Sequence, residues 1–215
     1  MWAIYKVDCW WTMVINYMSY KLFFLLFLLT NCLFSQVNTV EWEPAYKFKI
    51  EDFQGSKTAI NKYIDKVLVL SGVILDFEFQ MSNVEFMFTK NFNSKVSCTF
   101  HKDAAVIMAP DSLEAKRLIT LVKFDFDLSE LYARKIRKEL FQNKKTFSDA
   151  TFFQPYFDKM IAERNKISSR VYLETDFGNK SAILEKEHEA VKKELMEFSD
   201  FCKECKPPKN RNKTN

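Results

Sequence analysis

The sequence predicts an α+β domain, a small antiparallel sheet packed against one long helix with additional helices after it. Two observations carry the prediction and a third limits it. Pro110 and Asp111 precede a run whose apolar residues recur at helical spacing, so a long helix opens there. Upstream, residues 67–100 hold β-rich segments joined by short polar connections. Glycine occurs only at Gly55, Gly72 and Gly178. That is too few for a sandwich of many tight turns, and no phosphate-cradling loop is present.

The amino terminus reads as a leader. Lys21 supplies a positive charge, residues 22–29 are uninterrupted Leu and Phe, Thr30 and Asn31 end the run, and Ser35 is a small residue at a cleavage point. This is the order of a secretory signal. A spanning helix needs roughly 20 apolar residues, more than this run supplies. Asn31 is not the small residue that lipidation at Cys32 requires. Residues 1–17, with Trp2, Trp10 and Trp11, are an unusual extension, and Met18 is the better natural start. The expected organisation is therefore a mis-assigned extension at 1–17, a signal peptide at 18–35, one α+β domain at 36–205 and a disordered basic tail at 206–215. The expected location is periplasmic or extracellular, with no stable membrane insertion after cleavage.

The chain has 215 residues and a formal net charge of +4. The two signs are interleaved, so no basic stripe for nucleic acid appears. Once the leader is removed, Cys98, Cys202 and Cys205 remain. An odd number leaves at least one thiol free or paired with another molecule.

In chain order, residues 46–50 read as a strand and 56–65 as a loop or short helix. Val69, Ser71, Val73, Leu75, Phe77 and Phe79 alternate. Residues 84–89 and 95–100 read as further strands, with Asn91, Asn93 and Ser94 in the turn between them. Asp111 with Glu114 three residues later forms a capping box. Leu118, Leu121, Val122, Asp125, Leu128 and Tyr132 then share a face, and the helix is expected to reach Phe141. A polar break at 143–148 leads to a helix at 151–167, bent or interrupted at Pro155. Residues 171–178 read as extended or loop, and 181–202 as a charged amphipathic helix.

Candidate chemistry is sparse. Cys202-Lys203-Glu204-Cys205 has metal-ligand or redox spacing, and Cys98-Thr99-Phe100-His101 is a conceivable other half of a Cys₃His site. Residues i and i+3 of a strand point to opposite faces, however, and a disulfide or two idle thiols fits an exported chain better. His188 among Glu185, Glu187 and Glu189 is expected to be solvated. Asp125, Asp127 and Glu130 are by default surface or capping carboxylates.

The run from Phe126-Asp127-Leu128 through Glu130 to Ala133-Arg134 resembles the helix of a bacterial family of predicted secreted zinc-dependent proteases, described as a domain of unknown function. In that family it follows a His-Glu-x-x-His motif. Trp42 with Glu51-Asp52-Phe53-Gln54-Gly55 looks like the family's opening, and Tyr172-Leu173-Glu174-Thr175-Asp176-Phe177-Gly178 like its late Tyr-x-x-Thr-x-His-Gly element. The resemblance implies that Leu121 and Asp125 stand at the two histidine positions, Val122 at the glutamate and Phe177 at a third ligand. Leucine and phenylalanine offer a metal no lone pair, and valine takes no proton from water. The resemblance also implies a structural role for Asp127 and Glu130 with Arg134 or Arg137, which share a helix face with them. The expectation is a catalytically inactive relative with no cofactor, kept as a binding or structural protein of the cell envelope. Its partner would be a protein or an apolar ligand, not nucleic acid. The alternatives are a metal-dependent hydrolase with rearranged ligands, Asp125 with His188 or His101, and a small carrier with a phenylalanine-rich pocket. N-terminal sequencing of the exported product is expected to give a start near Gln36; a product that keeps residues 18–29 and stays in the membrane would overturn the leader assignment.

Overall fold

Six strands form two three-stranded sheets among the residues that the structure, a computed structural model, describes: 38–77, 82–144 and 151–207. The leader expected at 18–35, the extension before it and residues 208–215 of the expected tail lie outside these residues. The strands are β1 (Thr39–Glu41), β2 (Ala59–Ile60), β3 (Leu68–Leu70), β4 (Val73–Phe77), β5 (Val96–His101) and β6 (Val106–Ala109). The first sheet, β1-β5-β4, is antiparallel throughout, with Val40 opposite Phe100 and Ile74 opposite Thr99. In the second, β2-β6-β3, the central strand runs antiparallel to β3 and parallel to β2. Strand β5 buries Val96, Cys98 and Phe100 and leaves the residues between them partly exposed, the period of two that one covered face imposes.

Four helices complete the α+β fold: α1 (Asn83–Phe88), α2 (Ser112–Asn143), α3 (Gln154–Glu174) and α4 (Ser181–Glu197). Asp111 caps α2, its carboxylate accepting from the Glu114 backbone N–H at 2.8 Å, but the expected capping box is only half formed, because the Glu114 carboxylate pairs with Arg117 instead. Helix α2 packs on β4, β5 and β6 and also on α3 and α4. It is thus covered on both sides, and residues 124–134 are all buried. The one-faced stripe expected from the sequence is widened by the two later helices into burial around most of the helix.

Several segments differ from expectation. Residues 46–49 are not a strand; a 3₁₀ turn, Ile50–Asp52, follows them, and the pairing strand lies earlier at β1. Residues 83–88 form α1 and not a strand. Ser82 caps its first turn, accepting from the Glu85 N–H, and Phe86 turns inward against Phe92 and Phe152. Local capping and one buried anchor outweigh the β-like composition. Pro155 does not interrupt α3. It lies in the first turn, where its missing N–H would have had no partner. Residues 171–174 continue α3, so only 175–178 form the expected non-helical piece. Helix α4 stops at Glu197, and a 3₁₀ turn, Ser199–Phe201, carries the chain onward.

The core is aromatic. Phe100 is fully buried, with ring centroids 4.7 Å from Phe48, 5.7 Å from Phe53 and 6.4 Å from Phe126. Gly55 lies so close to β6 that an added Cβ would come within 2.7 Å of the Ala105 carbonyl oxygen. Phe100→Ala is expected to lower stability by about 3–5 kcal/mol. In urea unfolding this should appear as a lower midpoint at an unchanged slope.

Candidate functional site

Three carboxylates of α2 that the sequence suggested were surface groups are buried, and each is paired. Asp125, Asp127 and Glu130 are 2%, 3% and 3% exposed. A buried ionised carboxylate is tolerated only when charges and hydrogen bonds compensate it. Helix α2 solves this three times, twice with other elements and once with arginines of its own.

Asp125 faces α3. Arg164 Nη2 stands 2.5 Å from one of its oxygens, and Ser168 Oγ donates to the other at 2.6 Å. Arg164 also donates to Ser129 Oγ at 3.0 Å. Glu130 points toward the first sheet and the turn at Ser199–Phe201, which its partner Arg137 reaches. It accepts from Arg134 Nε at 2.9 Å and Arg137 Nη1 at 2.8 Å, the i+4 and i+7 partners expected of it. Asp127 faces α4 and the opening segment. Its Oδ1 accepts from Trp42 Nε1 at 2.8 Å and Lys123 Nζ at 2.7 Å, and its Oδ2 lies 2.7 Å from His188 Nε2.

Above this third pair lies a cleft of about 840 Å³. Its floor is one stripe of α2 that includes Ile119, Lys123 and Asp127. One wall is residues 42–48, with Trp42, Tyr46 and Phe48; the other is α4, with His188, Lys192 and Met196. The Trp42 ring is held from several sides. Its N–H points to Asp127, Arg134 lies over its face at 5.2 Å, and Lys123 lies 5.9 Å from its centroid. Burial pushes the Asp127 carboxyl up, but hydrogen bonds from His188 and Lys123 and the Lys123 charge outweigh it and hold the carboxyl below its ordinary value. An ionised carboxylate only accepts, so His188 is the donor of this bond.

The four positions singled out by resemblance lie as follows. Leu121 and Val122 are fully buried, and Asp125 is closed off by Arg164 and Ser168. Phe177 is 38% exposed, its ring meeting Tyr172 edge-on at 6.2 Å. Asp176 and Phe177 both adopt φ of 50°, and Gly178 follows at 87°. The left-handed region costs a bulky residue about 1–2 kcal/mol. Gly178 lies against Arg117, one turn of α2 before Leu121; a Cβ there would stand 3.2 Å from Arg117 Cγ. These residues do not fit a zinc ion. Three are hydrocarbon, Leu121 and Phe177 without a lone pair and Val122 without a proton acceptor, and the one carboxylate already holds a guanidinium.

The remaining candidates are also settled by their partners. Cys202 and Cys205 form a disulfide, and Cys98 is a buried free thiol, so the Cys₃His arrangement does not form. Burial, and after it the Glu130 charge, pushes the Cys98 thiol well above its ordinary value, which leaves it a poor nucleophile. His101 Nε2 lies 3.1 Å from Thr99 Oγ1. Asp125, His101 and His188 thus have separate partners, and among the described residues no group of three or more His, Cys, Asp or Glu is placed to hold a metal ion.

His188 is 9% exposed and not solvated as the sequence suggested. Its signal was present in the spacing. Leu184, His188, Val191 and Leu195 are the buried residues of α4 and form one helical stripe. Arg164 and Ser168 carried no such signal, because their partner lies on another helix. No family model, curated protein or solved structure matches the chain.

Asp127 links stability to pH with a defined sign. Its folded pKa lies below the ordinary 3.8, so its contribution is complete above that value and is lost as pH falls through the lowered folded pKa. Urea midpoints followed from neutral pH down to about pH 2 should fall less steeply for Asp127→Asn than for the wild type. Equal acid slopes would count against the pairing.

Proposed function

We propose that this protein is an exported binding protein without a catalytic zinc, related to secreted metallopeptidases through its central helix, and that the cleft between residues 42–48 and α4 is its working surface. The observation that carries the proposal is the cleft itself. Its volume of about 840 Å³ lies within the several hundred to roughly 1,000 Å³ usual for small-molecule sites. Aromatic and aliphatic side chains wall it, and the acid at its floor is already fully paired.

The state of the helix supports the same reading. Where the resembled family carries its ligands and base, this chain has Leu121 and Val122 in the core and a self-supplied cation, Arg164, against Asp125. A packed core with a satisfied ion pair needs no ion to balance it. No described helix is long and apolar enough to cross a membrane, and the export assignment rests on the leader.

The test uses the exported protein purified without chelators. Elemental analysis is expected to find zinc far below one per chain, and a broad peptidase assay is expected to find no activity. Once the leader is gone, Trp42 is the single tryptophan, so its fluorescence reports on the cleft. A small apolar dye should change that fluorescence saturably, and Met196→Asp should weaken the effect. Near-stoichiometric zinc with chelator-sensitive activity would overturn the proposal in favour of a metal-dependent hydrolase.

A further inference from the structure

The side chains bordering the cleft differ in how fully their charges are used. Four cations line it, Lys47, Lys123, Arg134 and Lys192, against two acids, Asp127 and Glu189. Asp127 is committed to Trp42, Lys123 and His188. Arg134 is committed to Glu130 and to the Leu195 carbonyl. The positive charge left over sits on the two walls. Lys47 is exposed, and no carboxylate among the described residues pairs with it. Lys192 pairs only with Glu189 on its own helix, with side chains 46% and 64% exposed. A solvent-exposed pair of this kind is weak and opens at little cost. Lys192 and His188 also line a second cavity of about 300 Å³, which shares Thr120 and Glu189 with the cleft.

From this we infer that the cleft takes an amphipathic anion: an aliphatic chain ending in a carboxylate, its chain along Trp42, Tyr46, Phe48 and Met196 and its head drawn to Lys47 and Lys192. The inference rests on the reading of the cleft as the binding site. Apolar walls alone would accept a neutral or a charged amphiphile. The unspent ammonium groups, one on each wall, separate the two, because a carboxylate there gains charge-assisted hydrogen bonds while a cationic head meets the surplus of like charge. Beside low-dielectric aromatic walls those interactions are stronger than in open water.

Calorimetric titration of the exported protein with dodecanoate, dodecanol and dodecyltrimethylammonium, each below its micelle concentration, tests this. Dodecanoate is expected to bind about tenfold more tightly than dodecanol, as charge-assisted hydrogen bonds imply, with the cation weakest. Lys47→Ala combined with Lys192→Ala should bring dodecanoate down to the affinity of dodecanol and leave dodecanol unchanged. Both sites are on the surface, so an unchanged thermal unfolding midpoint verifies the fold. Equal affinity for acid and alcohol would overturn the anion inference while leaving the cleft as an apolar site. A preference that survives in the double variant would overturn the placement of the head. Binding of none of the three would overturn the reading of the cleft itself.

Discussion

Arg137 is the residue on which the arrangement of the domain depends. Its side chain is fully buried, and a guanidinium in that position must have every charge and donor met. It donates to the Val96 carbonyl from Nε at 3.1 Å and Nη2 at 2.6 Å, to Glu130 at 2.8 Å and to the Phe201 carbonyl at 3.0 Å. One side chain therefore joins the central helix, the first residue of β5 and the turn after α4. Glu130 extends the joint through Arg134, which donates to the Leu195 carbonyl of α4. Next to this joint the Cys202–Cys205 disulfide closes the last turn, and Asn93 Nδ2 donates to the Cys205 carbonyl at 2.9 Å. Loss of Glu130 would leave the buried Arg137 guanidinium without its carboxylate, which is far more costly than the net worth of the pair.

The same logic is repeated along α2 and explains why the helix tolerates so many polar residues in its buried stretch. Asp125 engages α3, Asp127 engages α4 and the opening segment, and Glu130 holds Arg137, which in turn reaches the sheet and the turn at Ser199–Phe201. Buried ion pairs contribute less to stability than well-packed hydrocarbon would. They do fix orientation, since each carboxylate accepts only from donors placed at its own oxygens. The three pairs thereby set the rotation of α2 about its axis and the rest positions of α3 and α4 on it. The cleft is built on the same joint, because its floor includes the satisfied Asp127 and its walls are the two segments that Asp127 bonds to.

Legibility from the sequence was uneven for identifiable reasons. The start of α2 was plain because the Asp111 carboxylate acts on a near backbone neighbour, the Glu114 N–H. Strand β5 was plain because one covered face produces alternation. Residues 83–88 are ambiguous in sequence because Val, Phe, Met and Phe suit either element, and the Ser82 cap decides for helix. Strand β6 was missed because four residues before a proline offer no period to read. The sheet's parallel pair, β2 with β6, is a matter of two residues meeting across a long separation.

Taken alone, the sequence determined what is local: the capped start of the central helix, the strand at β5, and the i+4 and i+7 spacing that sets Arg134 and Arg137 on the helix face of Glu130. Tertiary structure alone decided that Asp125 meets Arg164, that His188 turns inward to Asp127, and that Trp42 closes over the same carboxylate from 85 residues away. The physical reason is reach. Caps, periods and i+4 pairs act within a turn or two and are written in the spacing, whereas a buried charge accepts any suitable donor that packing brings within hydrogen-bond distance, and nothing in the spacing says which one that will be.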